Sequence, residues 1–207
     1  MDFEELKREG ESFKNMTGFR WSNYPFYNPK GTSFSKRYEI SHVETNFFDF
    51  VEAKPLYGRT FLPEDVEGVD ESNIIISHAV WKEHYQANEN AIGSIAMLAG
   101  KPCTIVGVMP DGFYFPDEVH VWIASDWKEA KEKGRDHWRK LWVLGTLQKG
   151  TDLSVAKIEL NTIARRLAEE YPETNDNLKT VNVSQYKTWL SEAVVSEHFE
   201  AVCYAML

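Results

Sequence analysis

NFFDFVEAKPLYGRTF, residues 46–61, sets Phe47, Phe48, Phe50, Tyr57 and Phe61 around one proline and one glycine. The first three rings fit a short helical turn, and Thr45 or Asn46 stands where an N-cap residue is wanted. Pro55 then removes a backbone donor and Gly58 allows the chain to reverse, after which the aromatic run resumes. Taken alone, the stretch is a helix end that packs its rings into a core. Its flanks show what that core is built from.

Upstream, residues 2–16 carry Phe3, Leu6, Phe13 and Met16 among charges, which predicts an amphipathic first helix. Aromatic residues between Thr17 and Pro29 suggest a strand and turn. TSFSKRYEISHVET, residues 32–45, alternates over Phe34, Tyr38, Ile40 and Val43 and predicts a second strand. Downstream, an acidic loop from Glu64 to Ser72 leads into NIIISHAVWKEHY, residues 73–85: a buried strand, then a helix opened by Ser77 or His78 and carrying Val80, Trp81 and Tyr85. Residues 94–99 and 103–108 form a hairpin pattern around Gly100-Lys101. VHVWIA, 119–124, adds a strand, and a polar helical segment, 126–136, leads to another at 138–148.

Asp152 or Ser154 caps the longest helix, in which Val155, Ile158, Ile163 and Leu167 are expected on one buried stripe up to Tyr171-Pro172. A strand at 179–186 and a helix through Val195 follow. The strands near 33–44, 139–148 and 179–185 are expected to share one sheet under that long helix. This predicts an α+β layer pair built from both ends of the chain, with a β-rich block at 62–133 inserted between them.

A chain of 207 residues, 43% hydrophobic and 27% charged, holds a substantial core and is not disordered. Its net charge of −9 argues against a nucleic-acid partner, because phosphate neutralisation needs a basic face. The richest basic stretch, Lys128–Lys140, is interleaved with Glu129, Glu132 and Asp136 and reads as a solvated segment. Cys103 and Cys203 are the only cysteines, too few for a disulfide framework or a zinc cluster. No apolar run is long enough for a membrane helix, and the N-terminus lacks a signal-peptide pattern.

Motifs that carry chemistry are missing. Gly100-Lys101 is followed by Pro102 where a phosphate loop needs a hydroxyl. The histidines at 42, 78, 84, 120, 137 and 198 lack the spacing of a zinc site, and the acidic loop lacks the alternation of a calcium loop. No nucleophile elbow occurs. The reading is therefore of a chain that is not an enzyme, with no catalytic, cofactor-binding or metal-binding residue and no cofactor.

Four blocks occur in a familiar order: N-F-F-D with P-x-x-G-R-x-F at 46–61, S-x-x-x-W-x-x-x-Y at 77–85, I-x-G-V-M-P-x-G-F-x-F-P at 105–116, and L-x-x-x-Y-P-E-T-N at 167–175. Together they resemble the MacB-like periplasmic core domain of ABC transporter permeases of the FtsX/MacB type, from about Val43 to Val195. The resemblance implies a porter-like α/β sandwich subdomain, residues 1–61 and 134–196, interrupted by a smaller β-rich insertion subdomain, residues 62–133. It implies that Phe47, Phe48 and Phe50 close the porter core while Pro55 and Gly58, with a linker around Lys133-Gly134, carry the chain between subdomains as a hinge.

The family continues into an apolar membrane helix, whereas SEHFEAVCYAML, 196–207, carries Glu197, His198 and Glu200. Residues 197–207 are accordingly read as a tail outside the family's pattern. The resemblance further implies an extracytoplasmic location at the bacterial inner membrane and a role in relaying ATP-driven conformational change. The implied partners are the membrane helices of the parent permease, a separate ABC ATPase domain or chain, a second permease copy and a periplasmic adaptor, with no nucleic acid. A free-standing extracytoplasmic ligand- or peptide-binding protein is the alternative.

Overall fold

The computed structural model describes residues 3–31, 34–66, 72–125, 141–175, 180–186 and 201–205. Contacts divide the chain into two units, one of residues 1–20, 126–188 and 200–207, the other of residues 21–125 and 189–199.

In the first unit, helix α1 (Phe3–Glu9) buries Phe3 and Leu6. It stops at Gly10, whose N–H bonds the Leu6 carbonyl at 2.9 Å. Phe13 and Met16, expected on this helix, therefore begin strand β1 (Phe13–Tyr27), whose aromatic-rich sequence favours an extended backbone. The first half of β1 pairs antiparallel with β8 (Trp142–Leu147), Met16 opposite Gly145. Strand β10 (Ala201–Ala205) pairs with β8 on its other side and then with β9 (Asn182–Tyr186), both antiparallel. Helix α4 (Leu153–Glu170) is N-capped by Asp152, whose carboxylate accepts the Ser154 N–H at 2.8 Å. It is followed by a single turn, α5 (Pro172–Asn175).

The core of this unit joins Leu6 and Phe13 to Leu160, Ile163 and Leu167 of α4, and these to Val143 and Val183 of the sheet. The buried face of α4 is set by Ala156, Leu160, Ile163, Ala164, Leu167 and Ala168. Val155 and Ile158, expected on the buried stripe, stand 52% and 69% exposed. Helical geometry explains this: at 100° per residue, Val155 and Ile158 fall on the side opposite the stripe that these six residues form.

The second unit is β-rich. Strand β2 (Lys36–Val43) runs parallel to β7 (Val121–Ala124), β7 antiparallel to β4 (Ser72–Ile76), and β4 parallel to β6 (Lys101–Val108). Strand β6 forms the expected hairpin with β5 (Ile95–Leu98), and β5 pairs with the end of β1 through Phe26 and Tyr27. Because β1 also pairs with β2, the ladder closes on itself. Two short elements complete the unit on this side: α2 (Phe47–Phe50) and β3 (Tyr57–Gly58), which pairs with β6. Helix α3 (His78–Tyr85), capped by Ser77, lies against the closed ladder, and its Val80, Trp81 and Tyr85 enter a core with Phe26, Ile40, Ile74, Ile105 and Val121.

The grouping of the strands bears on further sequence expectations. Strand 36–43 lies in one sheet with β8 and β9, as expected, but its direct neighbours are β7 and β1, and it groups with the second unit. Residues 21–61, assigned by sequence to the porter-like part, consequently group with the middle block, and the division falls inside β1. Residues 201–205, set apart as a tail, form the strand between β8 and β9; the small apolar run AVCYA suits a strand flanked on both sides. The expected helical segment at 126–136, the linker at 133–134 and the helix through 195 lie outside the described residues.

Candidate functional site

The motif residues turn out to be locks within each unit. In α2, the Phe47 ring stacks on Phe115 with centroids 5.7 Å apart, and Phe48 meets Phe61, Phe113 and Trp122 at 5.8, 6.0 and 5.8 Å, geometry typical of aromatic pairs. Trp122 donates from Nε1 to the Phe115 carbonyl at 2.9 Å. The first and third sequence blocks thus build one aromatic nest, in the second unit and not in the porter-like core where sequence placed Phe47, Phe48 and Phe50.

Gly58 and Gly107 let β3 and β6 approach more closely than side chains permit. A Cβ on Gly58, at φ +76°, would lie 2.2 Å from the Val106 carbonyl oxygen, and one on Gly107 would lie 2.4 Å from the Arg59 carbonyl oxygen. Leu56 N–H and Arg59 N–H bond the Val108 and Val106 carbonyls at 2.7 and 2.9 Å. Pro55 and Gly58 therefore belong to a paired segment inside the second unit, whereas the chain passes between the units at 20/21, 125/126, 188/189 and 199/200.

Next to this turn, Arg59 grips Asp65 through two hydrogen bonds of 2.6 and 3.0 Å. The Leu62 N–H and the Asn73 amide also donate to this carboxylate, at 2.7 and 2.6 Å. Asp65 is buried, although the acidic loop from Glu64 reads as solvated. Burial by itself would raise the Asp65 pKa, but the Arg59 guanidinium and the two further donors outweigh it and hold the carboxyl below its ordinary range.

In the second block, Ser77 Oγ accepts the Val80 N–H at 3.2 Å and lies 3.0 Å from His120 Nδ1. Trp81 is 5% exposed, donates from Nε1 to the Asn88 carbonyl at 2.8 Å, and packs on Tyr57 and His78 with centroids 5.2 and 5.3 Å away. The fourth block closes α4: Asn175 is buried and its N–H bonds the Tyr171 carbonyl at 2.9 Å.

One cluster has no counterpart in the sequence motifs. Lys36 Nζ donates to both Glu83 oxygens, at 3.0 and 2.8 Å, and the Tyr38 hydroxyl donates to Glu83 Oε2 at 2.5 Å. His84 Nε2 lies 3.0 Å from the same hydroxyl. Phe34 stacks over the imidazole at 4.6 Å and Phe26 meets it edge-on at 5.0 Å. Burial pushes the Tyr38 hydroxyl far above its usual value, helped by Glu83, and keeps His84 and His120 below theirs. Adjacent Glu83-His84 in a helix gives no sign of this, since its partners sit on β2.

Surface recesses among the described residues include two on separate units. One, of about 280 Å³, is lined by Trp21, Glu39, Asp117 and Glu118 in the second unit, and one of about 490 Å³ by Lys157, Ile158, Asn161, Thr162 and Arg165 on α4. Ser77 and His120 form the one described hydroxyl–imidazole pair with an α-helix cap role, and the serine is already engaged by Val80. Among the described residues, no group of three or more His, Cys, Asp or Glu is placed to hold a metal ion, and no helix is long and apolar enough to cross a membrane. These clusters hold elements together and position surfaces.

Residues 1–163 match the model of the MacB-like periplasmic core domain. Among solved structures, the chain is similar to the periplasmic region of MacB from Actinobacillus actinomycetemcomitans, with 16% identity, TM-score 0.60, and coverage of 84% of this chain and 74% of that one. It is similar to the extracellular domain of the noncanonic ABC-type transporter YknZ from Gram-positive bacteria, at 14% identity, TM-score 0.62 and coverage of 83% and 82%. A domain of a putative permease protein from Porphyromonas gingivalis aligns at 13% identity, TM-score 0.59 and coverage of 82% and 72%. At these identities the likeness is one of fold, a mixed α/β architecture. None of the curated proteins compared matches the chain. The family match spans most of the chain and coincides with the motif blocks that build its aromatic nest and glycine-tight strand pair, so the chain belongs to the MacB-like periplasmic core domain family, as the extracytoplasmic, non-catalytic core domain of an ABC-type permease.

Proposed function

We propose that this domain relays conformational change, driven by ATP hydrolysis at a separate ABC ATPase, from the membrane helices of its permease to a substrate or partner outside the membrane. The observation that carries the reading is the division into two units with separate cores, between which the chain passes at 20/21, 125/126, 188/189 and 199/200. Each unit has its own dense internal locks: the α1–α4 core in the first, the aromatic nest and the Arg59–Asp65 clasp in the second. Units that are rigid inside and joined by few passages are suited to transmit displacement. In this reading the first unit is the porter-like part and the second the β-rich insertion. The domain acts without catalytic, cofactor or metal residues of its own, and a second permease copy and a periplasmic adaptor are its further partners.

The test uses the intact permease with its ATPase. Spin labels at Thr162 on α4 and at Lys101 at the start of β6, in a background where Cys103 and Cys203 are serine, report the distance between units; a third label on a membrane helix reports movement of the whole domain. Nucleotide-free and ATP-trapped states should give different distance distributions for at least one pair. Identical distributions for all pairs would refute the relay.

A further inference from the structure

We propose that His84 is the trigger of an acid-released latch that holds the lead-in and first turn of β2, Phe34 to Tyr38, onto helix α3. The latch is a one-way chain of donors. Lys36 and Tyr38 both donate to the Glu83 carboxylate, so the single hydroxyl proton of Tyr38 is used there. The 3.0 Å contact between Tyr38 Oη and His84 Nε2 then requires the imidazole to donate, which places its proton on Nε2 and leaves Nδ1 as a bare lone pair. Nδ1 is buried and has no hydrogen-bond partner among the described residues. The neutral ring satisfies its one donor.

A second proton must go on Nδ1. It would create a buried N–H without an acceptor and a cation between Phe34 and Phe26, in a side chain only 2% exposed. The charged and titratable groups that face the ring come from three places. Glu83, on α3, attracts the added charge, but Lys36 of β2 repels it and already neutralises Glu83. Tyr38 of β2 cannot accept a proton from Nδ1, and His120, reached through the Tyr38 ring at 5.4 Å, is held by Ser77. The backbone of His84 is anchored as well, its carbonyl accepting from the Asn28 amide at 3.0 Å.

Of the two rings that flank the imidazole, Phe26 is fully buried and Phe34 is 39% exposed, so the imidazolium reaches water past Phe34. Lifting Phe34 releases the segment that leads to Lys36 and Tyr38. The depressed basicity of His84 agrees in sign: the folded value is below the unfolded one, so the latch is at full strength above about pH 6.5 and weakens as the pH falls below it. For an extracytoplasmic domain, the pH on that side of the membrane becomes an input.

Amide hydrogen exchange on the full chain, expressed as protection factors between about pH 7.5 and about pH 5, tests the latch. Protection of Lys36–Ile40 should fall by up to about tenfold per pH unit once the pH is below about 6.5, while α4 in the first unit keeps its protection. His84→Gln, whose amide nitrogen can replace Nε2 toward Tyr38, should remove the pH dependence; His120→Asn should keep it. In the wild-type chain, the ring signals of His84 and of Phe34 should titrate with one midpoint, a readout that stands even if a variant fails to fold. Flat protection of Lys36–Ile40 across this range, dependence that persists in His84→Gln or vanishes in His120→Asn, equal loss in α4, or separate midpoints for the two rings would overturn the proposal.

Discussion

Replacing Trp81 by alanine should unlock the second unit. The indole is 5% exposed and belongs to the same core as Val80, Ile105 and Val108. It also bridges α3 to β3 through Tyr57, which pairs with Val108 of β6. Removing a buried tryptophan side chain costs about 3–5 kcal/mol through lost transfer energy and the cavity left behind. A Trp81→Phe variant keeps most of the apolar volume and removes the Nε1 hydrogen bond to the Asn88 carbonyl, a loss of about 0.5–1.5 kcal/mol plus a smaller packing deficit. Urea unfolding followed by far-ultraviolet circular dichroism measures both without relying on the fluorophore that has been removed. The alanine variant should lose at least twice as much stability as the phenylalanine variant. A loss below about 0.5 kcal/mol for Trp81→Ala, the scale of a neutral surface change, would show that the ring does not lock α3 to the ladder.

Gly58→Ala should destabilise by about 1–3 kcal/mol or more, since φ +76° and the nearby Val106 carbonyl both exclude a Cβ; an unchanged thermal midpoint would contradict the β3–β6 geometry. Asp65 has a folded pKa below its unfolded value, so its stabilisation is complete above about pH 3.9 and is lost as the pH falls through the folded value. Asp65→Asn should therefore flatten the acid limb of the stability–pH curve, and an identical limb in the variant would remove the Arg59–Asp65 clasp as its cause. On α4, Ile158→Glu should change stability by no more than about 0.5 kcal/mol and Leu160→Ala should cost about 2–5 kcal/mol, a contrast that denaturant melts read directly.

The types and order of most elements were legible along the chain. The hairpin at 95–108, the capped helix after Ser77 and the long helix after Asp152 each carry their own turn or cap residues, and those signals act over a few positions. The motif blocks pointed to the family for a related reason: Gly58, Gly107 and the phenylalanines are required by close approaches that few residues can satisfy. The candidate site was less legible. Lys36, Tyr38, Glu83, His84 and Phe34 look ordinary in sequence, because what distinguishes them is a meeting of β2 with α3 across more than forty positions.

By itself, then, the amino-acid sequence determined local conformation, the absence of phosphate-loop and zinc-site patterns, and membership of a fold family. Tertiary structure alone decided which strands became neighbours. The same alternating pattern in residues 36–43 would serve a sheet in either unit, and its placement beside β7 follows from closure of the ladder through β1. In helix α4, by contrast, the outward position of Val155 and Ile158 was already written in the 100° step of the helix once Ala156, Ala164 and Ala168 are counted on the buried face. Period and turn chemistry are short-range properties of a chain, whereas partner choice and burial depend on how all of its surfaces close against one another.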